Sequence, residues 1–248
     1  MTMHEFEIHE EITLAATPEQ VWDAIATGPG LDSWFMGHSE VEPRAGGTNR
    51  LEMPGYSQEM TITAWEPGRH LAFRGDDTDG TFAAFEFLIE GREGGSSVLH
   101  CVHNGLLADD WEAQYDGIKE GDRTHLRKLA VYLAHFPDRT STFSLFLIGP
   151  IVAGDVWSMF ADALSVDKLS DGARVRLNVP GLPETEGVID ILSAPRIVGV
   201  HTRDGILLVG KGYRDMLFLE YHGFSQGEDE KEIESAYQSW LQSAVISA

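Results

Sequence analysis

The chain has 248 residues, with 40 acidic side chains against 18 basic ones, 42% hydrophobic content and one cysteine. A formal charge of −22 at neutral pH runs against the lysine and arginine surplus that phosphate backbones and anionic lipid select, so neither nucleic acid nor membrane is expected as a partner. A single cysteine excludes an internal disulfide framework and a four-cysteine zinc site. No run approaches the roughly 18 apolar residues of a membrane-spanning helix, and the acidic start MTMHEFEIHEE lacks the order of a secretory signal, so the cytoplasm is the expected compartment.

Phe6, Ile8, Ile12 and Leu14 lie at even spacing, as in a half-buried strand. Thr17-Pro18-Glu19-Gln20 is a helix start: threonine accepts from the amide three residues on, Gln20 reaches back, and proline at the first helical position loses no needed donor. Val21, Trp22, Ala24 and Ile25 give that helix an apolar stripe, and Gly28-Pro29-Gly30 stops it. After Gly46-Gly47 short apolar runs alternate with turn chemistry at Pro54-Gly55, Glu66-Pro67-Gly68, Gly75 to Gly80 and Gly94-Gly95, which predicts an antiparallel sheet.

A long helix follows. Asp109 is placed to cap it with Glu112, and Trp111, Tyr115, Ile118, Leu126, Leu129 and Leu133 share one face. Gly117 and Gly121 would each cost about 1 kcal/mol inside it relative to alanine, and suggest a kink or a close approach by another element. Pro137 ends the helix, and 137–141 reads as a linker.

The second half repeats this order. Phe143 to Ile148 is a strand, Val156-Trp157 sits in a short helix as Val21-Trp22 does, and Asp171-Gly172-Ala173 stands where Ala45-Gly46-Gly47 stood. Val179-Pro180-Gly181 echoes Met53-Pro54-Gly55, Ala194-Pro195 matches the turn at Pro67, and Tyr221-His222-Gly223-Phe224 corresponds to His103-Asn104-Gly105-Leu106. A final helix carries Ile233, Tyr237, Trp240, Leu241 and Ala244. The order predicts a tandem duplication, its second copy lacking a counterpart to the stretch from Trp34 to Val41.

Thr17-Pro18-Glu19-Gln20-Val21-Trp22-Asp23-Ala24-Ile25, followed by Gly30-Leu31-Asp32-Ser33-Trp34-Phe35, resembles the START-like (SRPBCC) superfamily, in its branch of heat-shock-protein-90 ATPase activator homologues. The likeness spans residues 5–135 directly and 141–248 through the repeat. It implies an α+β fold of two helix-grip domains, each a curved antiparallel sheet wrapped around a long C-terminal helix: residues 1–137 with a candidate ligand cavity, and 141–248 a shorter, diverged copy. Members of this branch often carry Gly-Trp in the last helix, where Asp122 follows Gly121 here. The family ranges from lipid and polyketide binders to cyclases and chaperone regulators, so function has to come from the site.

The expected cavity lining is Trp34, Phe35, Met36, Met53, Phe73, Phe85, Phe87, His103, Trp111 and Tyr115, with Leu51 and Leu99 beside them. The same side chains also read as plain core, and the segment 34–38 as either packing or a moving lid. Cys101 and His103 share a strand face, but two ligands do not make a zinc site, and an acidic chain does not favour a thiolate. His103 and His222 are taken as matching positions at the ends of the two last strands. The expected function is non-catalytic binding of a small apolar ligand, without cofactor or metal. The alternatives are surface regulation of a chaperone or another ATPase, and a polyketide aromatase/cyclase that uses a pocket histidine as acid or base.

Overall fold

The computed structural model describes residues 3–107, 111–152, 156–212 and 215–243. Asp109 and Ala244 therefore lie outside the described residues. The chain divides into two compact units, Met1–Thr140 and Ser141–Ala248, and the fold class is α+β. Among the described residues no helix is long and apolar enough to cross a membrane.

In the first unit, β1 (His4–Leu14) leads into α1 (Pro18–Ala26) and the single turn α2 (Gly28–Leu31). The strands β2 (His38–Val41), β3 (Thr48–Met53), β4 (Tyr56–Glu66), β5 (His70–Asp76), β6 (Phe82–Arg92) and β7 (Ser96–Leu107) follow. With β1 they form one antiparallel sheet in the order β1-β7-β6-β5-β4-β3-β2, the first strand pairing with the last. The capping box at Thr17 forms as its sequence requires: the Gln20 amide donates to Thr17 Oγ1 at 3.3 Å, and the Thr17 amide to Gln20 Oε1 at 3.0 Å. Val21, Ala24 and Ile25 bury the stripe, and Trp22 meets Trp65 edge-on at 4.9 Å.

The helix α3 (Trp111–His135) lies along β1. Arg123 donates to Glu10 at 2.7 Å, and Tyr115 meets the Phe6 ring at 6.4 Å. Its C-terminal half is sealed, with Leu126, Leu129, Leu133 and the following Phe136 all buried; Trp111, Tyr115 and Ile118 in its N-terminal half are only half-buried. A Cβ at Gly117 or Gly121 would meet nothing within 4 Å. Among the described residues, then, nothing makes the close approach expected at these glycines.

The second unit runs β8 (Phe143–Ile151), α4 (Trp157–Ala163), β9 (Arg174–Leu177), β10 (Thr185–Ser193), β11 (Ile197–Thr202), β12 (Gly205–Lys211), β13 (Met216–Gly223) and α5 (Glu230–Ser243). Its sheet order, β8-β13-β12-β11-β10-β9, is that of the first unit with β2 removed. The frames agree bond by bond. In the first, Gly46 donates to Ile62 and Ile62 to Gly47, each at 2.8 Å; in the second, Gly172 donates to Ile189 at 2.7 Å and Ile189 to Ala173 at 3.0 Å. Gly46 and Gly172 hold φ of 74° and 75°, a left-handed conformation that glycine adopts without steric cost. Each frame then bulges at the next ladder step, between Ile62 and Ala64 and between Ile189 and Ile191.

Candidate functional site

Antiparallel partners point to the same side of a sheet. The register Phe73↔Phe85↔His103↔Ile8, with Phe87↔Cys101 beside it, therefore puts these side chains on one face. That face looks at α3, because the Asp122 carboxylate of α3 accepts from His103 Nδ1 at 3.0 Å. Aromatic rings fill the row. Phe73 lies 5.3 Å from Phe85 and 5.9 Å from Phe87, and Phe85 stacks on the His103 imidazole with centroids 3.8 Å apart. Phe6 meets the same imidazole edge-on at 5.1 Å. Phe73 and Phe85 are only half-buried, although they lie on the helix-facing side of a sheet.

The polar centre is the His103–Asp122 pair, whose side chains are 9% and 15% exposed. Cys101 follows on the same face. Burial, together with the Asp122 and Glu10 carboxylates, pushes its thiol far above the usual range. That makes it a poor nucleophile and a poor metal ligand. His100 points to the opposite face, where it meets Glu11 at 3.3 Å and Glu90 at 3.6 Å, so it cannot join Cys101 and His103 around one ion.

The structure brings Phe73, Phe85, Phe87 and His103 together on the sheet and sets Tyr115 beside Phe6 at their border. Trp111 lies further along α3, stacked on His4 at 4.9 Å. The other expected residues belong to a separate corner. Trp34 is 3% exposed, and its indole N–H donates to the Ala24 carbonyl at 2.9 Å. Phe35 packs between Trp34 and His125, at 5.4 and 4.8 Å. Met36 is half-buried, as is Met53, which stands against Gly37. Ser33 donates to the Pro29 carbonyl and the Ser39 amide to Asp32, both at 2.7 Å. These bonds tie the segment at both ends, the arrangement the packing reading expects. Asp122 was missed as a site residue. It was noticed only as a departure from Gly-Trp, and its 19-residue separation from His103 leaves no local pattern to find.

The second unit corrects the pairing of the two histidines. Gly105 lies opposite Phe6, and Gly223 opposite Phe143; a Cβ at either glycine would strike that ring, at 2.8 and 2.7 Å. Two residues earlier stand His103 and Tyr221, so Tyr221 is the counterpart of His103. His222 has the opposite strand parity and the opposite face. Tyr221 meets Phe143 at 5.7 Å and, from α5, Tyr237 at 5.3 Å. By the same register Phe73, Phe85 and Phe87 correspond to Val200, Leu207 and Val209. These three are nearly sealed, and with Phe160, Leu164, Leu177, Val198 and Trp240 they line a cavity of about 10 Å³. That volume is the least that holds one water.

A family model, the activator of Hsp90 ATPase homolog 1-like protein, matches residues 15–134. No curated protein matches the chain. A Bacillus halodurans protein solved in solution is 25% identical, covering 53% of this chain and 98% of its own at a TM-score of 0.45. The Aha1 dimer of Colwellia psychrerythraea is 19% identical over 52% of this chain and 96% of its own, at 0.45. DynU16, a protein of the dynemicin biosynthetic locus, is 16% identical over 96% of this chain and 95% of its own, at 0.46.

Proposed function

We propose, from the match of residues 15–134 to the activator of Hsp90 ATPase homolog 1-like family model, that the first unit binds a small, largely apolar molecule without converting it. The carrying observation is the uneven seal of α3. Leu126, Leu129 and Leu133 close one half of the helix on the sheet, while Trp111, Tyr115, Phe73 and Phe85 stay half-buried at the other. Aromatic surface left part-wet in this way is what an apolar ligand would cover, at about 25 cal/mol per Å² before association costs. The shared hydrogen-bonded frame supports reading the second unit as a diverged copy whose interior is already filled.

Native mass spectrometry of the purified protein, and tryptophan-fluorescence titration with fatty acids and aromatic polyketides, test this. A saturable quench is expected that Trp111→Phe removes while the ligand is still carried in the mass spectrum. Absence of both signals would defeat the proposal. The family's description favours one other reading, regulation of a chaperone ATPase through surface contacts; an unchanged chaperone turnover rate on adding this protein would dismiss it.

A further inference from the structure

The ligand-binding reading, on which this inference rests, leaves open which polar group the ligand carries. A neutral imidazole donates from one nitrogen and accepts at the other, whereas a carboxylate only accepts. Asp122 takes the hydrogen bond from Nδ1 at 3.0 Å, so the proton is held there and a lone pair is presented at Nε2. Among the described residues no protein donor meets Nε2, on a histidine that is 7% exposed and clamped between Phe85 and Phe6. Nε2 is not one of the fully buried atoms left without a partner, so it stands where a ligand's donor can reach it.

We infer that the first unit selects ligands bearing a hydroxyl on a planar apolar skeleton, a phenol or an enol, and that His103 Nε2 accepts from that hydroxyl. The half-buried rings of Phe73 and Phe85 cover the skeleton. Asp122 is a positioning residue: it fixes which nitrogen accepts. The same skeleton capped as a methyl ether fills the same space, but leaves Nε2 unpaired.

The test uses the full chain and three probes, 2-naphthol, 2-methoxynaphthalene and naphthalene. Calorimetry should find 2-naphthol bound roughly tenfold more tightly than its ether. His103→Phe keeps an aromatic ring but no acceptor, and should bind phenol and ether alike. Asp122→Asn can turn its amide N–H₂ toward Nδ1, and should narrow the discrimination. Nitrogen-15 spectra of the wild type should show His103 protonated at Nδ1, with the Nε2 signal moving on addition of 2-naphthol and not of the ether; this decides the matter if His103→Phe fails to fold. Equal binding of all three probes would overturn the hydroxyl inference and leave ligand binding standing. Binding of none would overturn the underlying reading and this one with it.

Discussion

Gly105 and Gly223 hold the same place in two sheets, each beneath a phenylalanine ring from the neighbouring strand. Two residues before them the units part. His103 pairs with an aspartate among half-buried phenylalanines, whereas Tyr221 meets Tyr237 over a closed aliphatic floor. Where one unit has Phe73, Phe85 and Phe87, the other has Val200, Leu207 and Val209 packed against Phe160 and Trp240. Tyr237, Trp240 and Leu241 of the shorter helix share one buried core with these smaller branched side chains. The frame is thus set by glycine turns, a bulge and backbone hydrogen bonds, and it carries a half-buried aromatic row in one unit and a sealed aliphatic interior in the other.

The strongest contrast should come from truncating one ring in each unit. Phe160 is fully buried, so Phe160→Ala should cost about 3–5 kcal/mol of the second unit's stability. Phe85→Ala removes a half-buried ring; it should cost clearly less stability but weaken probe binding by tenfold or more. Denaturation curves and calorimetry on both variants check this, and equal losses of stability would erase the distinction. Next in size, Gly105→Ala and Gly223→Ala should each destabilise by about 1–3 kcal/mol through overpacking. If only one of the pair does so in thermal melts, the two positions are not equivalent.

A smaller effect separates the first helices. α1 is capped by Thr17 Oγ1, while α4 begins at Val156 with no side-chain cap. Thr17→Ala should lower stability by about 1 kcal/mol, and Val156→Ala should show no capping loss. The smallest concerns pH. Burial, and then the neighbouring Asp204, raise the Glu228 carboxyl above its usual range, and its Oε2 has no partner. A carboxyl with a raised folded-state pKa contributes stability that is full below its unfolded value of 4.5 and is lost as pH climbs through the folded one. The second unit's melting point should therefore fall across that window, and Glu228→Gln should flatten this part of the profile.

Local chemistry made much of this legible beforehand. The Thr17 box, the even spacing that buries Phe6, Ile8 and Leu14, and the turn glycines all act over a few residues, and they stand where the sequence puts them. What escaped depends on tertiary geometry. The pairing of His222 with His103 ran against the aligned quartets themselves, which set Tyr221 opposite His103 as the strand register does. Asp122 gains meaning only when α3 brings its carboxylate to His103. Trp34 reads equally as ligand contact or packing in the sequence; in the structure its indole donates to the Ala24 carbonyl.

The central claim, an open aromatic face in one unit and a filled core in the other, is tested most directly by an NMR titration of the intact chain with 2-naphthol. The expected result is saturable shifts confined to Phe73, Phe85, His103 and Tyr115, with Phe160, Leu207 and Trp240 unmoved. Shifts centred on the second group, or none that saturate in the first, would contradict the account.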